Sequence, residues 1–105
     1  MRVIKTISAM KNARAKMIGP VGFVPTMGLL HKGHMELVRR SKADNLRTVV
    51  SIFVNPTQFG PTEDLATYPR DIPRDLAMLE EEGVDIVFIP VAREMYPRRY
   101  ATWVE

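Results

Sequence analysis

The sequence predicts an α/β fold built on a parallel sheet covered by helices. Two runs, "RTVVSIFVN" (47–55) and "VDIVFIP" (84–90), are β-branched and apolar with few polar interruptions, as strands buried on both faces require. Segments with apolar residues at helical spacing lie between the strand-like runs. Strand, helix, strand, helix and strand in this order imply crossover connections, and therefore parallel pairing.

In chain order, "ISAMKNARAKM" (7–17) places Ile7, Met10, Ala13 or Ala15, and Met17 near helical spacing, with Ser8 available as N-cap. Gly19 and Pro20 break this helix, and "VGFVP" (21–25) reads as a short buried strand ended by Pro25. After the glycine-containing loop "TMGLLHKG", the segment "HMELVRRSKA" sets Met35, Leu37, Val38 and Ala43 on one side and Arg39, Arg40 and Lys42 mostly on the other. A second helix therefore starts near Gly33. The strand at 47–55 stops at Asn55 and Pro56, and "PTQFGPTEDLATYPRDIP" is a long loop of the kind that is usually functional or mobile. Asp71 followed by Pro73 opens a third helix, with Leu76, Leu79 and Ala77 or Met78 inward, and Gly83 closes it. The last strand ends at Pro90.

A chain of 105 residues, 46% hydrophobic and 26% charged, is one ordinary globular domain with room for a core. It has no cysteine, which removes disulfides and thiolate metal sites. The N-terminal "MRVIKTISAMKNARAKMIG" spaces its apolar residues among five basic ones. It lacks the apolar run of a signal peptide or membrane span, so a cytoplasmic, non-membrane protein is expected. Residues 1–50 hold ten Lys/Arg against two Asp/Glu, and residues 51–105 hold five against ten. Solvated helix faces are the commoner origin of such asymmetry, and nothing interleaves aromatics with basic residues as a nucleic-acid surface does.

"PTMGLLHKGH" (25–34) carries the chemistry. Taken alone, a histidine near a helix start is most often structural. A metal site needs a third ligand, and Glu36 and Asp44 lack the spacing for it. The reading with a mechanism is an anion site. A strand feeding a helix through a glycine loop presents unpaired N–H groups and the positive end of the helix dipole. His31 and His34 add imidazole donors, which suit nucleotidyl transfer from ATP, where charge develops on phosphoryl oxygens. Gly33 is small so that the backbone can approach the nucleotide. Both this motif and "NPTQFG" fall at strand carboxyl ends, where ligands bind in such sheets.

"FVPTMGLLHKGHMELVRRS", "VVSIFVNPTQFGPTEDLATYPRD" and "GVDIVFIPVAREMYP" together closely resemble the pantoate–β-alanine ligase family of the His-x-Gly-His nucleotidyltransferase superfamily. The resemblance runs over nearly the whole chain and implies a Rossmann-like parallel sheet. It also implies a two-step ligation. Pantoate attacks ATP to give pantoyl adenylate and pyrophosphate, and β-alanine then displaces AMP, with Mg²⁺ accompanying the ATP. By the same resemblance Met27, Gly28, Leu29, Leu30, His31, Lys32, Gly33 and His34 line the ATP site. His34 is catalytic, through proton donation or phosphate stabilisation, and His31 assists it. Gln58 contacts pantoate where β-alanine enters, Met27 and Phe53 wall the pantoate pocket, and Tyr68 is a lid residue. A glutamine in a loop is, by itself, only an exposed amide. Family members continue well beyond residue 105, so residues 1–105 are expected to be a truncated N-terminal nucleotide- and pantoate-binding domain. They are also expected to form a homodimer. Two other readings stand beside this one: a nucleotidyltransferase acting on a phosphorylated acceptor, and a non-catalytic binding or assembly module.

Overall fold

The computed structural model describes residues 1–53 and 70–91. Its elements run β1 (Arg2–Ile4), α1 (Ile7–Ala15), β2 (Val21–Thr26), α2 (Lys32–Asp44), β3 (Arg47–Ile52), α3 (Ile72–Glu81) and β4 (Ile86–Phe88). The strands form one sheet in the order β1-β4-β3-β2. Every pairing is parallel, with Val24 opposite Val50 and Val50 opposite Val87. The α/β class and the parallel sheet therefore stand as read from the sequence.

The register sorts side chains onto two faces. Val24, Val50, Ile52 and Val87 meet Met35 and Val38 of α2 and Leu79 of α3 in the larger core, while Ile4, Val49 and Ile86 meet Ala13 of α1 in the smaller one. Each fully buried Leu or Val contributes about 1.5–3 kcal/mol relative to exposure, so the α2/α3 face dominates. α2 and α3 are also joined at their carboxyl ends. Lys42 Nζ donates to the Glu82 carbonyl, and Arg39 pairs with the Glu82 carboxylate at 3.1 Å.

Several expectations need correction. β1 has no signature in the sequence. Three residues with burial exposed, exposed, buried carry no periodic signal, and the strand exists because β4 pairs with it. The N-cap of α1 is Thr6, whose hydroxyl accepts from Ala9 N at 3.2 Å, and not Ser8. Leu37 is 57% exposed and Ala43 is exposed as well. The inward stripe of α2 runs Met35, Val38 and Ser41, and the Ser41 hydroxyl bonds that of Thr48 at 2.8 Å. In α3, Ala77 is exposed and Met78 packs on the larger core, beside a stripe of Ile72, Asp75, Leu76 and Leu79.

β2 is the main departure. It lies at an edge of the sheet among the described residues, Phe23 is 60% exposed, and the strand continues through Pro25 to Thr26. Pro20 O accepts from Arg47 N, and Thr26 O accepts from Phe53 N. Even-numbered residues therefore bond β3, and Pro25, which has no N–H to give, faces the outer side. A proline at that side removes nothing from the ladder, which is why it does not end the strand.

Candidate active site

Because all four strands are parallel, their carboxyl ends share one side of the sheet. A cavity of about 250 Å³ lies there, bordered by the residues that follow each strand: Lys5, Met27, Phe53 and Ile89. Ile52 and Ile72 add apolar wall, and Arg70 adds a second cationic side chain. Met27 and Phe53 thus line the same cavity. Gln58 and Tyr68 lie outside the described residues.

The turn leaving β2 is built by hydrogen bonds to its own N–H groups. Thr26 Oγ1 accepts from Gly28 N at 3.2 Å and donates to Ser51 O at 2.9 Å. Asp75 then takes the next two donors, Leu29 N on Oδ2 and Leu30 N on Oδ1, both at 2.9 Å. Arg74 Nη2 donates to Leu30 O at 2.8 Å. The turn needs left-handed backbone at Gly28 (φ 92°) and Leu29 (φ 50°). Glycine adopts this readily and leucine does not. The Leu30 side chain is 0% exposed and belongs to the larger core. Of the residues assigned to an ATP site, Leu30 therefore points inward, and only its backbone lies along the turn.

The two histidines cap α2 reciprocally. His31 Nδ1 accepts from Gly33 N at 3.0 Å, and His34 Nδ1 accepts from His31 N at 3.1 Å, with ring centroids 4.1 Å apart. An imidazole that accepts at Nδ1 carries its proton on Nε2 when neutral, so each ring keeps one N–H donor for a ligand. The expectation of unpaired N–H groups at this helix start is corrected in the same stroke. The N–H groups of Gly28, Leu29, Leu30, His31 and Gly33 all have partners within the protein. The imidazole Nε2–H groups, in place of those backbone groups, are the donors left for an anion here.

His34 is held below its ordinary pKa of about 6.5, first by partial burial and then by His31, with Asp75 opposing. The sign follows from linkage. A histidine depressed in the folded state contributes stability that is fully present above about pH 6.5 and lost as pH falls through the folded value. Ring ¹⁵N shifts are expected to show His34 as the Nε2–H tautomer at pH 7, with its cap released on acidification. A proton on His34 Nδ1 at pH 7 contradicts this.

Gly33 has a local reason to be small. A Cβ there would lie 2.9 Å from His31 Cε1 and 3.2 Å from Nδ1. Gly33→Ala is expected to displace the His31 ring, which its side-chain resonances would report. Stability should change by less than about 1 kcal/mol, because a lost cap and a gained helix former roughly offset. Unchanged His31 resonances contradict the cap.

No group of three or more potential metal ligands occurs among the described residues, and Glu36 is paired with Arg39 at 2.8 Å.

A model of the pantoate-beta-alanine ligase family matches residues 2–105. The chain belongs to that family. A pantothenate synthetase of Roseiflexus castenholzii is 61% identical over 105 residues, all of this chain and 38% of that protein. A crystal structure of the pantoate-beta-alanine ligase of Francisella tularensis, complexed with beta-gamma ATP and beta-alanine, superposes with a TM-score of 0.86 at 40% identity, covering 92% of this chain and 38% of that one. The pantothenate synthetase of Thermus thermophilus superposes with a TM-score of 0.83 at 51% identity, over 97% of this chain and 36% of that one. The chain thus spans somewhat more than a third of the length of these relatives. It has the Rossmann-like nucleotidyltransferase sheet of its family.

Sequence reading missed Lys5, Arg70 and Asp75 at this cavity and Arg74 at the turn beside it. Asp75 left a trace. It stands between Ile72 and Leu79 at i+3 and i+7 on the inward stripe of α3, where a carboxylate needs partners. Lys5 and Arg70 left none, because only the sheet brings residues so distant in sequence to one cavity.

Proposed function

We propose that this chain forms the ATP- and pantoate-binding part of a pantoate–β-alanine ligase. The carboxylate of pantoate attacks the α-phosphorus of ATP, releasing pyrophosphate. The amine of β-alanine then attacks the pantoyl carbonyl and AMP leaves. The observation that carries the reading is the cavity at the strand ends, bordered by Met27 and Gly28 of the turn that leads into the histidine cap of α2. Its apolar wall of Met27, Ile52, Phe53 and Ile89, with Lys5 and Arg70 as cations, suits a short branched hydroxy acid. His34, assisted by His31, donates from Nε2 to phosphoryl oxygens as charge develops on them. That role fits a neutral ring better than proton transfer from an imidazolium. Met27, Gly28, Leu29, Lys32 and Gly33 complete the nucleotide side, and Gln58 binds pantoate.

Mg²⁺ would enter with the ATP phosphates and would neutralise the charge that develops on them as pyrophosphate leaves. We further assign the protein to the cytoplasm as a homodimer. No helix among the described residues is long and apolar enough to cross a membrane. The test is pantoate-dependent exchange of labelled pyrophosphate into ATP. Exchange that ignores pantoate, or that requires a phosphorylated acceptor instead, overturns the reading.

A further inference from the structure

Asp75 is a buried carboxylate to which the chemistry above gives no task. It is 0% exposed, and both its oxygens are committed to the turn, Oδ2 to Leu29 N and Oδ1 to Leu30 N. Arg74 extends the grip, with Nη2 on Leu30 O and Nη1 at 3.5 Å from Asp75 Oδ1. Withdrawing a carboxylate from water is costly, and two charge-assisted bonds with a neighbouring guanidinium offset that cost. The segment it grips resists its own conformation, since Leu29 is left-handed directly after left-handed Gly28. His31 follows Leu30 immediately, and its N–H is bound to His34.

We propose that Asp75 is a positioning residue for the reaction: by holding the N–H groups of Leu29 and Leu30 from α3, it sets where His31 and His34 stand. The turn, the histidine pair and α3 then move as one body. The catalytic consequence rests on the pantoate-activation reading, and the structural consequence does not. An asparagine at this position has one acceptor oxygen and an NH₂ group, so it satisfies one backbone N–H and opposes the other.

The test pairs Asp75→Asn with Asp71→Ala. Asp71 caps α3 by accepting from Arg74 N at 3.2 Å, so its loss weakens the helix without touching the turn. The titratable groups acting on His34 are His31 from the turn and Asp75 from α3, and Asp75 raises its pKa. Asp75→Asn is therefore expected to lower the midpoint of the His34 ring titration followed by NMR. It should also reduce kcat for pyrophosphate exchange by on the order of 10- to 100-fold, the scale of a misplaced catalytic group, with little change in KM for pantoate. Asp71→Ala should do neither. An unmoved His34 titration, or equal losses in both variants, overturns the proposal. Where Asp75→Asn does not fold, Arg74→Gln, which frees the Leu30 carbonyl from the exposed side of the same grip, takes its place. Shifted His34 resonances then support the proposal and unshifted ones overturn it. If the unsubstituted protein shows no pantoate-dependent exchange, the functional reading fails, and the His31 and His34 ring resonances in Arg74→Gln, which keeps the Asp75 charge, still decide the positioning.

Discussion

Replacing His34 with alanine is expected to lower pantoate-dependent adenylate formation by at least ~100-fold, the usual scale for one preorganised donor at developing charge. The protein should stay folded, because His34 is not part of either core. Two roles are removed together, since Nδ1 caps the His31 N–H while Nε2 carries the donor. His34→Asn separates them. Its amide can accept the His31 N–H from a similar place but has no group where Nε2 stands. Rate loss in His34→Asn comparable to that in His34→Ala assigns the effect to the Nε2 donor. Near-normal pyrophosphate exchange in a folded His34→Ala variant removes the catalytic role altogether.

Leu30→Ala is expected to be the most damaging substitution for stability among the motif residues. The side chain is fully enclosed with Val24, Met35, Val38 and Leu79. Truncating such a leucine costs about 2–5 kcal/mol, transfer and cavity terms together, against a typical total of about 5–15 kcal/mol. Urea denaturation would measure it directly. Leu29→Ala is the comparison, because Leu29 is exposed at the surface of the same turn and should lose less than about 1 kcal/mol. Equal losses from the two would mean that Leu30 does not anchor the turn in the core.

The parts of the molecule legible in the sequence are those specified by neighbours in the chain. β3 announces itself through an unbroken β-branched run, α3 through Asp71 and Pro73 at one end and Gly83 at the other, and α2 through its stripe at Met35 and Val38. Elements that depend on distant partners were not legible. β1 is a strand only because Ile86 to Phe88 lie beside it. Ser41 turns inward, where an apolar residue would be expected, because Thr48 offers its hydroxyl. The same division runs through the site. The histidines are visible as a local motif, but the bonds that settle their tautomers are visible only in three dimensions. Asp75 is distant from the turn in sequence, and the docking of α3 on the sheet makes them neighbours.

The outward-facing proline of β2 limits how any further chain can attach to that side. Along a strand, alternate residues present both N–H and C=O to the same neighbour, so the outer rim of β2 offers the groups of Val21, Phe23 and Pro25. Two of those three residues have an amide hydrogen to give. An incoming backbone can zip onto the first half of the rim and must forgo a rung at position 25, close to where the ligand-bearing turn begins. Exposed rims are also where polypeptides recruit copies of themselves into aggregates, and a missing rung is a recognised deterrent. Pro25→Thr would complete the rim while keeping a good strand former. It would leave the histidine turn untouched, yet make the freshly synthesised chain stickier.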